Sequence, residues 1–192
     1  MPRPKEFEPA IALDRAMGIF WARGYDGTSM QDLVDGMKIS RASLYDTFGG
    51  KHELFLAAVT HYGNVISERL VVLEAPGSPT SNIQRFFRGL LDAACDGDGW
   101  RGCFAVNATV ERAPWCDESA EILGELRLKL ENAFHRALTR ARREGTLADD
   151  YRPRALARHL VGLAHGLAVV AKTRPQPRVL NDMLDVGLSV LR

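Results

Sequence analysis

Apolar residues recur along almost the whole chain at steps of three and four, which is the spacing of a helix face. In the first such segment Leu13, Ala16, Met17, Phe20 and Trp21 form one stripe. Gly24 followed by Tyr25 then reads as a Schellman stop, so a helix is predicted from about 9 to 23. Thr28 is the expected N-cap of the next helix, with Gln31 at capping-box spacing. Met30, Leu33, Val34 and Met37 supply its buried face, and the helix ends near Gly36. Ser40 caps a third helix, Ile39 and Leu44 stand at the positions of a hydrophobic staple, and Gly49-Gly50 stops it.

Lys51 opens a long fourth helix carrying Leu54, Ala58, Tyr62, Ile66, Leu70 and Leu73, which ends before "EAPGSP". Further helices are predicted at about 80–96, 103–113, 117–144, 153–173 and 177–191, separated by Gly- and Pro-containing stretches. The expected fold is all-α, with about nine helices. It has a three-helix N-terminal domain (1–52) and a helical C-terminal domain (53–192), with the boundary inside the fourth helix.

Two short helices joined by a tight turn, the second with small polar residues at its start, match a helix-turn-helix. A recognition helix enters a major groove about 12 Å wide, so its leading residues should be small or able to bond base edges. Ser40, Arg41, Ala42 and Ser43 meet that requirement. Tyr45 can donate its hydroxyl to a phosphate, and Lys51 opens a helix whose N-terminal amides already favour an anion.

The stretch "TSMQDLVDGMKISRASLYDTFGGKHELF" (28–55) resembles the DNA-binding signature of the TetR (tetracycline-repressor-like) family of bacterial transcription regulators. The resemblance is carried by the Thr28-Ser29 start, Leu33, the Leu44-Tyr45 pair, Phe48 and Lys51, and it extends over roughly 9–60. It implies backbone contacts to double-stranded operator DNA from Ser29, Tyr45, Thr47 and Lys51, and base contacts from Gln31, Ser40, Arg41 and Ser43. The chain departs from the family's usual Ala-Gly-Val-Ser at Met37-Lys38-Ile39-Ser40, and it places an acid, Asp46, where neutral or aromatic residues are common.

The likeness further implies a homodimer built by the last two helices, which lets two recognition helices meet a pseudo-palindrome. Ala157, Leu160, Val161, Ala164, Ala168 and Ala171 make one small apolar face, and Met183, Leu184, Val186 and Leu188 a second stripe. It also implies a small-molecule effector in the C-terminal domain. Phe86, Phe87, Leu90, Phe104, Asn107, Val110, Trp115, Leu126, Phe134 and His165 are the candidate lining, and they suit an apolar or aromatic ligand. The function expected is a ligand-responsive regulator, a repressor released from its operator when the effector shifts the population of states. The fourth helix is the expected lever, and a coupling of about 1–3 kcal/mol would be ordinary.

Composition narrows this reading without replacing it. The 192 residues are 46% hydrophobic and carry a formal charge of +1, and residues 1–52 hold seven Lys/Arg against seven Asp/Glu. A DNA partner must therefore meet a local patch, since no basic module supplies general counterion release. The longest charge-free apolar stretch, 159–171, is shorter than the roughly 20 residues of a membrane span. "MPRPKEFEPA" lacks the apolar core of a signal peptide, and three cysteines leave at least one unpaired, so a cytoplasmic setting without membrane attachment is expected.

"GDGWRG" (97–102) has the letters of a phosphate-binding G-x-G-x-x-G, but a helical stretch precedes it where a strand is needed. Cys95, Cys103 and Cys116 lack C-x-x-C spacing and paired histidines, so no metal or cofactor is expected. Cys103, beside Arg101 at a helix start, raises an alternative: a regulator that senses oxidants or electrophiles through this thiol, against ordinary packing of a small hydrophobe. Two other classes stay in view. An enzyme would need a triad, a G-x-S-x-G elbow or an H-E-x-x-H, none of which occurs; a helical interaction module would dimerise without binding operator.

Overall fold

A computed structural model of the chain describes residues 7–95, 101–147 and 151–191. Among them run nine α-helices: α1 Pro9–Arg23, α2 Met30–Met37, α3 Arg41–Phe48, α4 Lys51–Glu74, α5 Pro79–Cys95, α6 Phe104–Arg112, α7 Asp117–Arg143, α8 Pro153–Ala171 and α9 Pro177–Gly187. No strand occurs among the described residues. The helical period read from the sequence is thus the period of the fold. The last helix stops at Gly187, and the expected continuation to 191 is a short 3₁₀ turn over Ser189–Leu191. Most of "GDGWRG", and the side chain of Cys95, lie outside the described residues.

The chain packs as two units. The first comprises the residues up to Asn64 together with Asn107–Leu123, and the second Val65–Val106 together with Gly124 onward. The first unit therefore takes a segment from the middle of the chain, holding most of α6 and the start of α7, in addition to α1–α3 and the first half of α4.

The core of the first unit is made by the residues whose spacing announced it. Ala12, Ala16 and Phe20 of α1, Leu33 and Met37 of α2, Leu44 of α3, and Leu54, Phe55, Ala58 and Tyr62 of α4 are all buried. Each large apolar side chain removed from water contributes about 1.5–3 kcal/mol, which is what holds three short helices that would be marginal alone. Phe20 and Phe55 meet edge to face at 5.2 Å, as do Trp21 and Tyr62 at 5.3 Å. Gly24 ends α1 with φ +76°, where a side chain would be strained, and its N–H donates to the Phe20 carbonyl at 2.8 Å. The Tyr25 ring returns to stack on Phe20 at 6.3 Å.

In the second unit, residues from α5, α7, α8 and α9 share one core, centred on Phe86, Phe87 and Phe134 with Leu138, Leu160 and Leu180. One carboxylate, Glu131, is buried at its edge and receives hydrogen bonds from Arg127 at 2.9 Å and from Arg154 and Arg158 at 3.2 Å each. Burial alone would raise its pKa, but the three guanidinium groups outweigh this and hold it below the ordinary carboxylate value.

Candidate nucleic-acid interface

The geometry of α2 and α3 is set by side chains bonding their own neighbours. Ser29, one residue later than the expected Thr28, is the N-cap of α2. Its Oγ accepts from the Asp32 N–H at 3.1 Å, and Asp32 Oδ2 accepts from the Ser29 N–H at 2.9 Å, completing a capping box. Thr28 is buried instead, and its hydroxyl donates to the Gly24 carbonyl at 2.6 Å, tying the α1–α2 turn together. The Ser29 donors pull the Asp32 carboxyl down to about 2, helped by an ion pair with Arg23. Ser40 caps α3 as expected, accepting from the Ser43 N–H at 3.0 Å, and Ile39 and Leu44 are both buried.

Helix α2 ends at Met37, within one residue of the expected Gly36. Gly36 lies within α2, where a Cβ would come within 2.5 Å of the Ile19 Cδ1, so glycine there serves the close approach of α1. The left-handed residue is Lys38, at φ 58°. Lysine thus stands in a conformation that an L side chain enters at a cost, in the very position where the TetR-like pattern has glycine.

The expected contact residues lie on α2 and α3, at the N-caps of both and at the start of α4, and they differ in exposure. Ser40 and Arg41 are exposed at the leading turn of α3, Tyr45 is 48% exposed one turn on, and Asp46 beside it is exposed as well. Ser43, Thr47 and Lys51 are half-buried. Several are engaged by the protein: the Ser29 hydroxyl donates to Asp32 at 2.6 Å, Gln31 Nε2 donates to Asp35 at 2.8 Å, and the Ser40 hydroxyl donates to Ser43 Oγ at 2.9 Å. Lys51 Nζ lies 4.3 Å from the centroid of the Tyr25 ring.

Behind this surface the first unit is held by partners far apart in sequence. Glu111, near the end of α6, accepts from the N–H of Tyr25 and of Asp26, both at 2.9 Å, so one carboxylate takes two amides of the α1–α2 turn. Arg112 places its guanidinium 4.3 Å from the Tyr25 centroid and 3.8 Å from Asp26. Burial of the Tyr25 phenol raises its pKa, against the lowering effect of Arg112. His52 Nε2 meets Glu118 Oε2 at 2.6 Å. Cys116, just before α7, accepts from the Ser119 hydroxyl at 3.2 Å, and that bond lowers its thiol pKa. The contacts of Glu111, Arg112 and His52 join residues far apart in the chain, and no local spacing announces them.

The candidates for an effector pocket fall into two sets. In the second unit Phe86, Phe87 and Phe134 form a close aromatic cluster, with centroid distances of 5.2 to 5.7 Å. Leu90, Leu126 and His165 are half-buried, Phe104 is buried, and burial lowers the His165 pKa. In the first unit Asn107 is half-buried, whereas Val110 and Trp115 are 73% and 80% exposed and line no interior of that unit. The residues assigned to a partner surface divide similarly. Ala157, Leu160, Val161, Ala164, Leu184 and Leu188 are buried in the chain's own core, Ala168 and Met183 are half-buried, and Val186 is 74% exposed. Val169 and Val179 are exposed apolar residues on α8 and α9 that periodicity did not single out.

A capped pair of short helices, the second presenting exposed polar residues from its first turn, defines a helix-turn-helix DNA-binding protein. Residues 12–58 match the family model described as bacterial regulatory proteins, tetR family. Over 100% of both chains the sequence is 39% identical to the HTH-type transcriptional regulator YezE of Bacillus subtilis (strain 168). It is 27% identical to the HTH-type transcriptional repressor ComR of Escherichia coli (strain K12), over 99% of this chain and 90% of that one. Among solved structures, a cysteine mutant of the TetR family regulator CifR, complexed with double-stranded operator DNA, superposes with a TM-score of 0.87 and 31% identity, covering 99% of this chain and 100% of that one.

The protein belongs to the tetR family and is a DNA-binding transcriptional regulator, which sets the enzyme reading aside. Among the described residues, no helix is long and apolar enough to cross a membrane.

Proposed function

We propose that the protein is a homodimeric, ligand-responsive repressor that acts in the cytoplasm on a pseudo-palindromic operator. The observation that carries this reading is the α3 surface: a helix fixed by its Ser40 cap and the buried Leu44, with Arg41 and Tyr45 exposed on it. Arg41 is the base reader, since a guanidinium bonds the paired acceptors of guanine, with Gln31, Ser40 and Ser43 beside it. Ser29, Tyr45, Thr47 and Lys51 hold the phosphates and set the register. Residues 1–52 carry this activity. Residues 53–192 carry the effector site around the Phe86, Phe87 and Phe134 cluster and the dimer surface on α8 and α9, where Val169, Val179 and Val186 are exposed. Effector binding alters the spacing of the two recognition helices through α4, and operator affinity falls by the effector's preference for the incompetent state.

The experiment that tests this is selection from a random duplex pool by the purified protein at two salt concentrations, with mass measured in solution. A pseudo-palindromic consensus, strong salt dependence and a dimer are expected. Lys51→Ala should weaken binding to every sequence and reduce the salt slope by about one, whereas Arg41→Ala should relax base preference at one position per half-site. No enrichment by a folded dimer would overturn the reading.

A second reading concerns the signal. Cys103 is half-buried, is not in a disulfide and precedes α6 directly. The CifR structure at 31% identity was solved as a cysteine mutant on its operator, which makes thiol chemistry worth testing in this chain. If Cys103 senses electrophiles, a thiol-reactive compound releases operator from the native protein and not from Cys103→Ser. Equal release from both would sink it.

A further inference from the structure

We propose that His52, Cys116 and Glu118 form a binding site for one divalent metal ion of borderline softness, best matched by Zn²⁺. The three residues come from the first turn of α4, the position just before α7 and the first turn of α7, and one ligand atom from each lies within 4.8 Å of the others. His52 and Glu118 are 66 residues apart in sequence, so the spacing of cysteines along the chain hides the site.

Donor chemistry selects the ion. An imidazole, a thiolate and a carboxylate are the ligand types of zinc sites, and together they bring a charge of −2 that neutralises a divalent cation. Hard ions such as Mg²⁺ and Ca²⁺ prefer all-oxygen shells and gain little from sulfur. Three protein ligands also leave a fourth tetrahedral position to water.

The dimensions fit with small movements. Bonds of about 2.0–2.3 Å place tetrahedral ligand atoms roughly 3.3–3.8 Å apart. The cluster brackets that range, with 2.6 Å between His52 Nε2 and Glu118 Oε2 and at most 4.8 Å on the other edges. The ion replaces the His52–Glu118 hydrogen bond, and Glu118, whose side chain is 67% exposed, has the freedom to swing open. As the ion binds, the Cys116 thiol loses its proton to solvent, and the proton that His52 Nε2 donates to Glu118 leaves Nε2 for solvent or for Nδ1, which frees the Nε2 lone pair for the ion.

The surroundings hold two of the three ligands in place. Ser119, itself buried, donates to the Cys116 sulfur through its hydroxyl at 3.2 Å and its N–H at 3.5 Å, and the His52 ring packs edge-on against Tyr25 at 6.4 Å. Such outer contacts orient ligands and typically carry about 10–100-fold in affinity. Arg112 is the neighbouring opposing charge, and it is drawn onto the Tyr25 ring and Asp26. A bound ion ties the turn that begins at Lys51 to the start of α7 within the first unit.

The test is titration of the reduced, metal-stripped full-length protein with Co²⁺, followed by displacement with Zn²⁺. One equivalent per chain is expected, with the d–d bands of tetrahedral Co²⁺ and a thiolate-to-cobalt charge-transfer band, both abolished by Zn²⁺. Cys116→Ser should remove the charge-transfer band, and His52→Gln and Glu118→Gln should each weaken binding by about tenfold or more. Cys103→Ser should change nothing. Glu118 is exposed, so its variant tests the site without disturbing the core. Octahedral bands only, absence of saturable binding, or a charge-transfer band that survives in Cys116→Ser would each overturn the proposal.

Discussion

The two sides of the first unit are held by opposite means. On the α2–α3 side, polar side chains bond residues three positions away: Ser29 with Asp32, Ser40 with Ser43. On the α6–α7 side, Glu111 reaches amides 85 and 86 residues away and His52 reaches Glu118. Local bonds let α2 and α3 define their own ends, so the surface they present is shaped largely by its own sequence. The long-range bonds tie the end of α1 and the start of α4 to a segment from the middle of the chain, so the placement of that surface depends on distant residues. Loss of a long-range partner should therefore cost more than loss of a cap.

The sharpest way to break this contrast is Glu111→Ala, which strips two amides of their acceptor at once. A loss of about 2 kcal/mol is expected in urea unfolding, because the half-buried Tyr25 amide is left unsatisfied while water reaches that of Asp26. Glu111→Gln, which keeps an acceptor oxygen, should recover part of it. On the local side, Ser29→Ala should cost about 1 kcal/mol, the ordinary worth of an N-cap. A larger loss from Ser29→Ala than from Glu111→Ala would reverse the ranking.

Lys38→Gly should act in the other direction. Relieving the left-handed lysine is worth about 1–2 kcal/mol, and the added freedom of glycine in the unfolded chain offsets part of that. A net gain of about 0.5–1 kcal/mol is expected in the same urea assay. If stability is unchanged or falls, Lys38 contributes a contact that outweighs its backbone strain.

The smallest and most specific effect is in acid. Asp32 has its pKa depressed from 3.8 to about 2 in the folded state. Its contribution is complete above the unfolded value and is lost as pH falls from about 4 through about 2. Asp32→Asn should remove that part of the acid dependence and leave the rest of the profile intact. Acid curves that superpose would show that the capping carboxylate is not linked to stability.

These residues also show what was legible beforehand. The first helix ends at Arg23 as its pattern predicted, since a periodic apolar stripe followed by glycine is a local signal. The α2 cap falls one residue later than expected because Thr28 and Ser29 are equally competent caps. Burial decided between them, taking Thr28 into the turn. Gly36 looked like a turn glycine, and only the approach of Ile19 reveals its other reason. Small and apolar spacing along α8 announces a buried face, and Ala157, Leu160 and Val161 are buried within their own chain.

By itself the sequence determined the helices to within a few residues, the N-caps of α2 and α3 to within one, the helix-turn-helix and the family likeness. All of these rest on interactions between residues a few positions apart, and such interactions leave a spacing behind. Only the tertiary structure decided that α6 and the start of α7 pack with the DNA-binding helices, that Glu111 holds the α1–α2 turn, and that His52, Cys116 and Glu118 meet. Hydrogen bonds and ion pairs of that kind depend on the three-dimensional path of the backbone, and no periodicity in a single chain encodes which distant side chains that path brings together.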